Sequence, residues 1–199
     1  CDRRQRQMCI RDRTNTEPSG QIILGDVTEF NGSFIEGWGN NGADYIIKEL
    51  IGTYPGFYGT AELSSAAEYV YNPTVLTSDP ETTLNEDGSK TFKFTLNKDL
   101  VWSDGSALTA NDYVGYLMIY ASPEFGEIEG SNTAGNTLVG FDTYNTGDTK
   151  EFSGIHLIDD YTFTITIKAD YIPTYFEAYA SAVTPIPFSV YAPGAVSYT

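Results

Sequence analysis

Between residues 90 and 96 the chain reads KTFKFTL, and between 161 and 167 it reads YTFTITI. Large apolar side chains take every second position: Phe92, Phe94 and Leu96 in the first stretch, Phe163, Ile165 and Ile167 in the second. Successive strand side chains point to opposite faces, so this period of two specifies strands with one buried face and is incompatible with an amphipathic helix. A turn signal precedes each stretch. NEDGSK supplies Asp87-Gly88, residues that tolerate positive φ, and predicts a hairpin whose facing strand lies around Glu81 to Asn85. Asp159-Asp160 predicts the turn of a second hairpin, entered by a strand through Ile155 and Leu157.

Helical spacing appears elsewhere, which makes the fold class α/β (mixed α+β). In LVWSDGSALTANDYVGYLMIY, Asp104-Gly105 makes a turn, and Thr109 stands three residues before Asp112 as a capping-box variant opening a helix. Val114, Leu117, Met118 and Tyr120 continue it, while Gly115 weakens it by roughly 1 kcal/mol relative to Ala. Trp102, Ser103, Asp104 and Gly105 read as a structural motif: Trp102 anchors a core and Asp104-Gly105 shapes the turn. A helix is expected from Asn41 to Ile51, and a short one from Pro173 through Ser181, since proline suits a first helical turn. Gln21 to Val27 reads as a buried strand, and Gly126 to Lys150 as loop.

The composition excludes several functions. The chain has 11 basic and 27 acidic residues, a net charge of −16. Such a surface repels nucleic acid and anionic membranes at long range. No run of roughly 18 apolar residues occurs to span a bilayer. His156 is the only histidine and sits in an alternating strand pattern, where a structural role is expected. One histidine and no cysteine after Cys9 leave little for zinc sites or nucleophile pairs. The acidic stretch Asp79 to Gly88 fails the EF-hand spacing, with Thr83 at the first ligand position and Phe94 at the last. No metal, cofactor or catalytic residue is expected.

Two blocks, in order, resemble one family. DGSKTFKFTLNKDLVWSDGSALTANDYV (Asp87 to Val114) and LIDDYTFTITIKADYIPTYFEAYASAVTPIPFSVY (Leu157 to Tyr191) are similar to extracellular solute-binding proteins of ABC importers, of the oligopeptide and dipeptide-binding, family 5 type. The resemblance implies a type II periplasmic-binding-protein-like fold, here incomplete, because such proteins are more than twice this long and have two hinged lobes. It divides the chain into a linker (14–20), a first part of lobe one (21–52), an inserted subdomain (53–152) and a return into lobe one (153–199). It also implies a peptide or other small solute as ligand, ABC permease transmembrane subunits as partners, an extracytoplasmic location, and membrane contact only through a lipid anchor absent from this chain. A cell-surface glycan-binding or adhesive domain is the rival reading, being equally acidic and aromatic.

Ligands of α/β proteins gather where loops leave the carboxyl ends of strands. The expected ligand loop is therefore TEFNGSFIEGW, with Thr28, Glu29, Phe30, Asn31, Gly32 and Trp38 as its contacts. Aromatic surface there suits varied side chains, and backbone groups freed by Gly32 can bond an extended peptide whatever its sequence.

The first 13 residues stand apart. CDRRQRQMCIRDR holds all five arginines and both cysteines. A basic arm or a lipidated Cys1 would account for part of this. RRQRQMCIRDR, however, is also what a transposase adapter used in sequencing libraries encodes, so residues 1–13 are expected to be foreign sequence. Without them 6 basic residues face 25 acidic ones, a net charge of −19. Deleting residues 1–13 should shift the melting temperature by less than about 2 °C; a larger loss by calorimetry would show that the segment packs on the body.

Overall fold

The computed structural model describes residues 23, 25, 27–32, 42–50, 58–174 and 176–194. α1 (Gly42–Leu50) comes first, followed by β1 (Ala61–Leu63) and β2 (Tyr69–Tyr71), an antiparallel two-stranded sheet. The two alternating stretches then build the main sheet. β3 (Glu81–Leu84) and β4 (Lys90–Thr95) form one hairpin, β5 (Ile155–Asp159) and β6 (Thr162–Ile167) the other. The hairpins join antiparallel through β4 and β6, giving the order β3-β4-β6-β5. The boundary expected between residues 152 and 153 therefore runs through this sheet, with β4 before it and β6 after it.

The period of two does what its spacing demands. Phe92, Phe94, Leu96, Phe163, Ile165 and Ile167 are all at most 2% exposed. On the opposite face Thr91 and Thr166 are partners across β4 and β6, their hydroxyls 3.0 Å apart, and Lys93 pairs with its cross-strand partner Glu81 at 3.2 Å. The turn of the second hairpin is Asp160-Tyr161, one residue later than expected. Asp159 stays in β5, and its carboxylate accepts the Tyr161 N–H at 2.8 Å.

α2 (Ala110–Ala121) lies across the buried face of the sheet. Its Tyr113 ring stacks on Phe163 at 5.4 Å, and Phe163 stacks on Phe94 at 5.1 Å. The helix starts where the sequence places it. The Thr109 N–H donates to Asp112 Oδ2 at 2.7 Å, the reach-back bond of a capping box. Asp112 is 6% exposed, and its Oδ1 also accepts the Phe188 N–H at 3.0 Å. Its backbone carbonyl accepts the Ile186 N–H at 3.2 Å. One residue thus caps the helix and docks the segment after residue 182 on it.

Several expectations are corrected. Ile23, Gly25 and Val27 are exposed and lie in no strand, so the buried strand expected over 21–27 is not formed at its described positions. Residues 126–150 are less loop-like than read: α3 (Pro123–Glu127) and α4 (Phe141–Asn145) bury Phe125 and Phe141. Ser122, whose Oγ accepts the Phe125 N–H, and Pro123 are the start signal that the reading passed over. The helix expected from Pro173 is shorter, α5 (Glu177–Ala180), because Phe176 just before it has non-helical φ −116° and ψ 79°. Tertiary contacts fix α5 instead: Lys90 pairs with Glu177 at 2.5 Å, and the Tyr71 and Ser181 hydroxyls lie 3.1 Å apart. A last short helix, α6 (Phe188–Tyr191), packs on α2.

Gly115 has a packing role beside its propensity cost. A Cβ there would meet the Phe188 ring at 2.1 Å. The residue that weakens α2 on propensity is what lets Phe188 reach it. Gly115→Ala should therefore destabilise the protein by roughly 1–3 kcal/mol, as overpacking does, rather than stabilise it. Denaturant unfolding checks the sign, and combining it with Phe188→Ala should recover part of the loss.

Candidate functional site

The expected ligand loop is described over Thr28, Glu29, Phe30, Asn31 and Gly32, while Phe34 and Trp38 lie outside the described residues. All five described residues are exposed, and the Phe30 ring is 52% so. Gly32 has φ +79°, with open space where a Cβ would stand. Its N–H donates to Oδ1 of Asp44, a buried residue in the first turn of α1, at a long 3.4 Å. The loop is thus moored to the start of a helix and turns its aromatic side chain and part of its backbone outward. That arrangement suits non-covalent contact with an extended ligand.

The WSDG segment does a different job. Val101 and Ala107 bridge antiparallel across it. The Trp102 N–H donates to the Ser106 carbonyl at 2.8 Å, and the Gly105 N–H to the Trp102 carbonyl at 2.9 Å, with Gly105 at φ +85°. Asp104 Oδ1 accepts both the Ser106 hydroxyl at 2.6 Å and its N–H at 2.8 Å. Ser103 is an exposed turn residue. Trp102 is only partly buried: it packs at the edge of the main core, edge-on to Tyr58 at 6.2 Å, so it closes the core's rim and does not sit at its centre. Thr109 and Asp112 follow as the helix cap described above.

The same turn occurs twice. At Asn85 to Ser89, Asp87 Oδ1 accepts the Ser89 hydroxyl at 2.6 Å and its N–H at 3.0 Å, with Gly88 at φ +83°. In both turns the Ser hydroxyl, then the Ser N–H, holds the aspartate below its ordinary 3.8. Asp159 is lowered too, first by the Tyr161 N–H.

A cleft with no counterpart among the sequence motifs lies between α2, residues 134–138 and residues 182–184. Its volume is about 160 Å³, with Leu117, Leu138, Ile165 and Val183 among its walls. Both flanking segments are pinned by backbone bonds. Lys168 donates its N–H to the Thr137 carbonyl at 2.9 Å and its ammonium to the Asn136 carbonyl at 3.1 Å. Val183 donates its N–H to Thr60 Oγ1 and accepts the Thr60 N–H, each at 2.9 Å. No local motif announces such a cleft, because its walls come from four separated parts of the chain.

Comparison with known proteins decides the family. The profile of bacterial extracellular solute-binding proteins, family 5 Middle, matches residues 71–196. The chain belongs to this family. Among family 5 relatives, the oligopeptide-binding protein OppA of Lactococcus lactis subsp. lactis is 44% identical over 71 residues, covering 36% of this chain and 12% of that protein. The OppA of L. lactis subsp. cremoris is 42% identical over the same length. The match thus spans about an eighth of these curated relatives. The fold agrees with that of Haemophilus influenzae OppA in complex with RPPGFSPFR, with a TM-score of 0.51 and 22% identity over 76% of this chain and 28% of that one. The family 5 chain thus has the periplasmic-binding-protein-like fold over part of its relatives' length, and family 5 is one of solute-binding proteins located outside the cytoplasm, not of enzymes.

The turn aspartates make a pH test for this family 5 chain. A carboxyl lowered by folding stabilises fully above its unfolded value and loses that contribution as pH falls through the folded one. Stability should therefore drop as pH falls below 3.8, the ordinary value of all three groups. Replacing Asp87, Asp104 and Asp159 together by Asn should flatten that drop while leaving its shape near neutrality unchanged, as read by urea midpoints across acid pH.

Proposed function

We propose that this chain is the ligand-capturing part of lobe one of a peptide receptor outside the cytoplasmic membrane, which hands its ligand to an ABC permease. The observation that carries this reading is the 44% identity to an oligopeptide-binding protein over 71 residues. The exposed Thr28–Gly32 loop supports it, offering the Phe30 side chain on the surface. Thr28, Glu29, Phe30, Asn31, Gly32 and Trp38 are the proposed contacts. Residues 53–152 serve as the inserted subdomain and 153–199 as the return into lobe one. Capture proceeds by closure of a second lobe over the ligand, with no bond made or broken, and a lipid anchor or the periplasm keeps the receptor at the membrane.

Closure between two lobes divides the contact area, so one wall alone holds a ligand weakly. Halving an interaction worth about 8 kcal/mol, a micromolar complex, leaves about 4 kcal/mol and a millimolar one. Calorimetry with a mixed tripeptide library should therefore detect micromolar binding to the full-length gene product and none to the 199-residue chain. Oligosaccharide binding by the full-length protein, with no response to peptides, would overturn the reading in favour of a glycan-binding domain.

A further inference from the structure

We infer that Asn31 is a site of spontaneous covalent modification, losing its amide nitrogen to become aspartate or isoaspartate at position 31. Among the described residues Asn31 is the one asparagine that glycine follows; the others precede Pro, Glu, Lys, Asp or Thr. A side chain on the following residue obstructs the reaction, and glycine has none. The Gly32 backbone nitrogen attacks Cγ of Asn31 and forms a new C–N bond. Its N–H proton passes to hydroxide, and the side-chain nitrogen takes up a proton from water and leaves as ammonia. Water then opens the five-membered succinimide at either carbonyl. One opening leaves aspartate; the other routes the backbone through the former side chain, as isoaspartate. The inference holds whether or not this loop touches a ligand.

The structure leaves the reacting groups accessible. Asn31 and Gly32 are both exposed, and nothing lies within 4 Å of the place a Gly32 Cβ would take. The bond from the Gly32 N–H to Asp44 Oδ1 is 3.4 Å long, beyond the usual range of N–H···O bonds. Two Asp-Gly pairs, which could close the same ring, show the contrast. There the Gly88 N–H donates to the Asn85 carbonyl at 3.0 Å and the Gly105 N–H to the Trp102 carbonyl at 2.9 Å. Asp87 Oδ1 is tied to Ser89 at 2.6 and 3.0 Å, and Asp104 Oδ1 to Ser106 at 2.6 and 2.8 Å. Those bonds must break before either carboxyl can turn back on its glycine. The Asn85 amide is held likewise, donating to Ser89 Oγ at 2.9 Å and Thr91 Oγ1 at 3.0 Å. The turns that shape the core are thus locked against ring closure, and the Thr28–Gly32 loop is not. Each event takes the net charge from −16 to −17. Isoaspartate also lengthens the loop backbone by one carbon, which shifts Gly32 against its mooring on Asp44.

The test is to age the folded 199-residue chain at mildly alkaline pH beside the same chain in urea, then cleave both at glutamate. Cleavage after Glu29 and Glu36 releases residues 30–36, which hold Asn31 without Asn41. By mass spectrometry that fragment should grow heavier by one dalton and split into two species, at a rate that rises in proportion to hydroxide. Asn31→Gln, whose ring would have six members, should abolish the change. Isoaspartate at Asp87 and Asp104 is read by enzymatic methyl transfer to their fragments. Local opening sets how far folding slows each site, so folding should suppress the two turns at least about tenfold relative to urea and Asn31 by less than about threefold. Suppression of Asn31 as strong as that of the turns, or a fragment 30–36 that never changes, would overturn the proposal.

Discussion

Four aromatic rings run in line through the centre of this chain: Tyr71 of β2, Phe94 of β4, Phe163 of β6 and Tyr113 of α2. Their successive centroids lie 6.3, 5.1 and 5.4 Å apart. Each such pair contributes about 0.5–1.5 kcal/mol beyond the area it buries, but the larger effect is on register. Phe94 and Phe163 are direct cross-strand partners. A slip of one residue between β4 and β6 would break the stack and turn every inner side chain of one strand to solvent. The column also ends in a polar tie: the Tyr113 hydroxyl donates to the Tyr58 carbonyl at 2.6 Å, and burial raises its pKa, so it remains a donor at neutral pH. Both hairpins, the small sheet and the central helix depend on this one line of contacts.

How much of this was legible in the sequence follows from how local each cause is. Strand faces were readable because Phe92, Phe94, Ile165 and Ile167 carry the period in their own neighbourhoods. The start of α2 was readable because Thr109 and Asp112 lie within one turn. The pairing of β4 with β6 was not, since alternation specifies which face is buried and leaves the partner open. The packing role of Gly115 is not legible for the same reason. Its purpose lies 73 positions away, in the Phe188 ring. The short helices at Pro123 and Phe141 hold five residues each, too few for a period to show. The described residues of the expected ligand loop, Thr28 to Gly32, are exposed, whereas the cleft is assembled from distant residues and has no sequence signature.

Asp112 connects these levels. A buried carboxylate is costly unless its oxygens find donors. Here the Thr109 and Phe188 N–H groups supply them, which couples the start of the central helix to the segment carrying Pro185 and Pro187. That segment in turn forms one wall of the cleft. The walls are therefore set by backbone bonds to the core.

The long separation between β4 and β6 has a consequence during synthesis. Residue 95 leaves the ribosome well before residue 162, and at about 5–20 residues per second the wait is roughly 3–13 s. Throughout that interval β4 presents an unpaired edge, with Phe92 and Phe94 uncovered. The partners that will cover them are still unmade. The net charge of −16 makes like copies of the chain repel one another at long range while that edge is open.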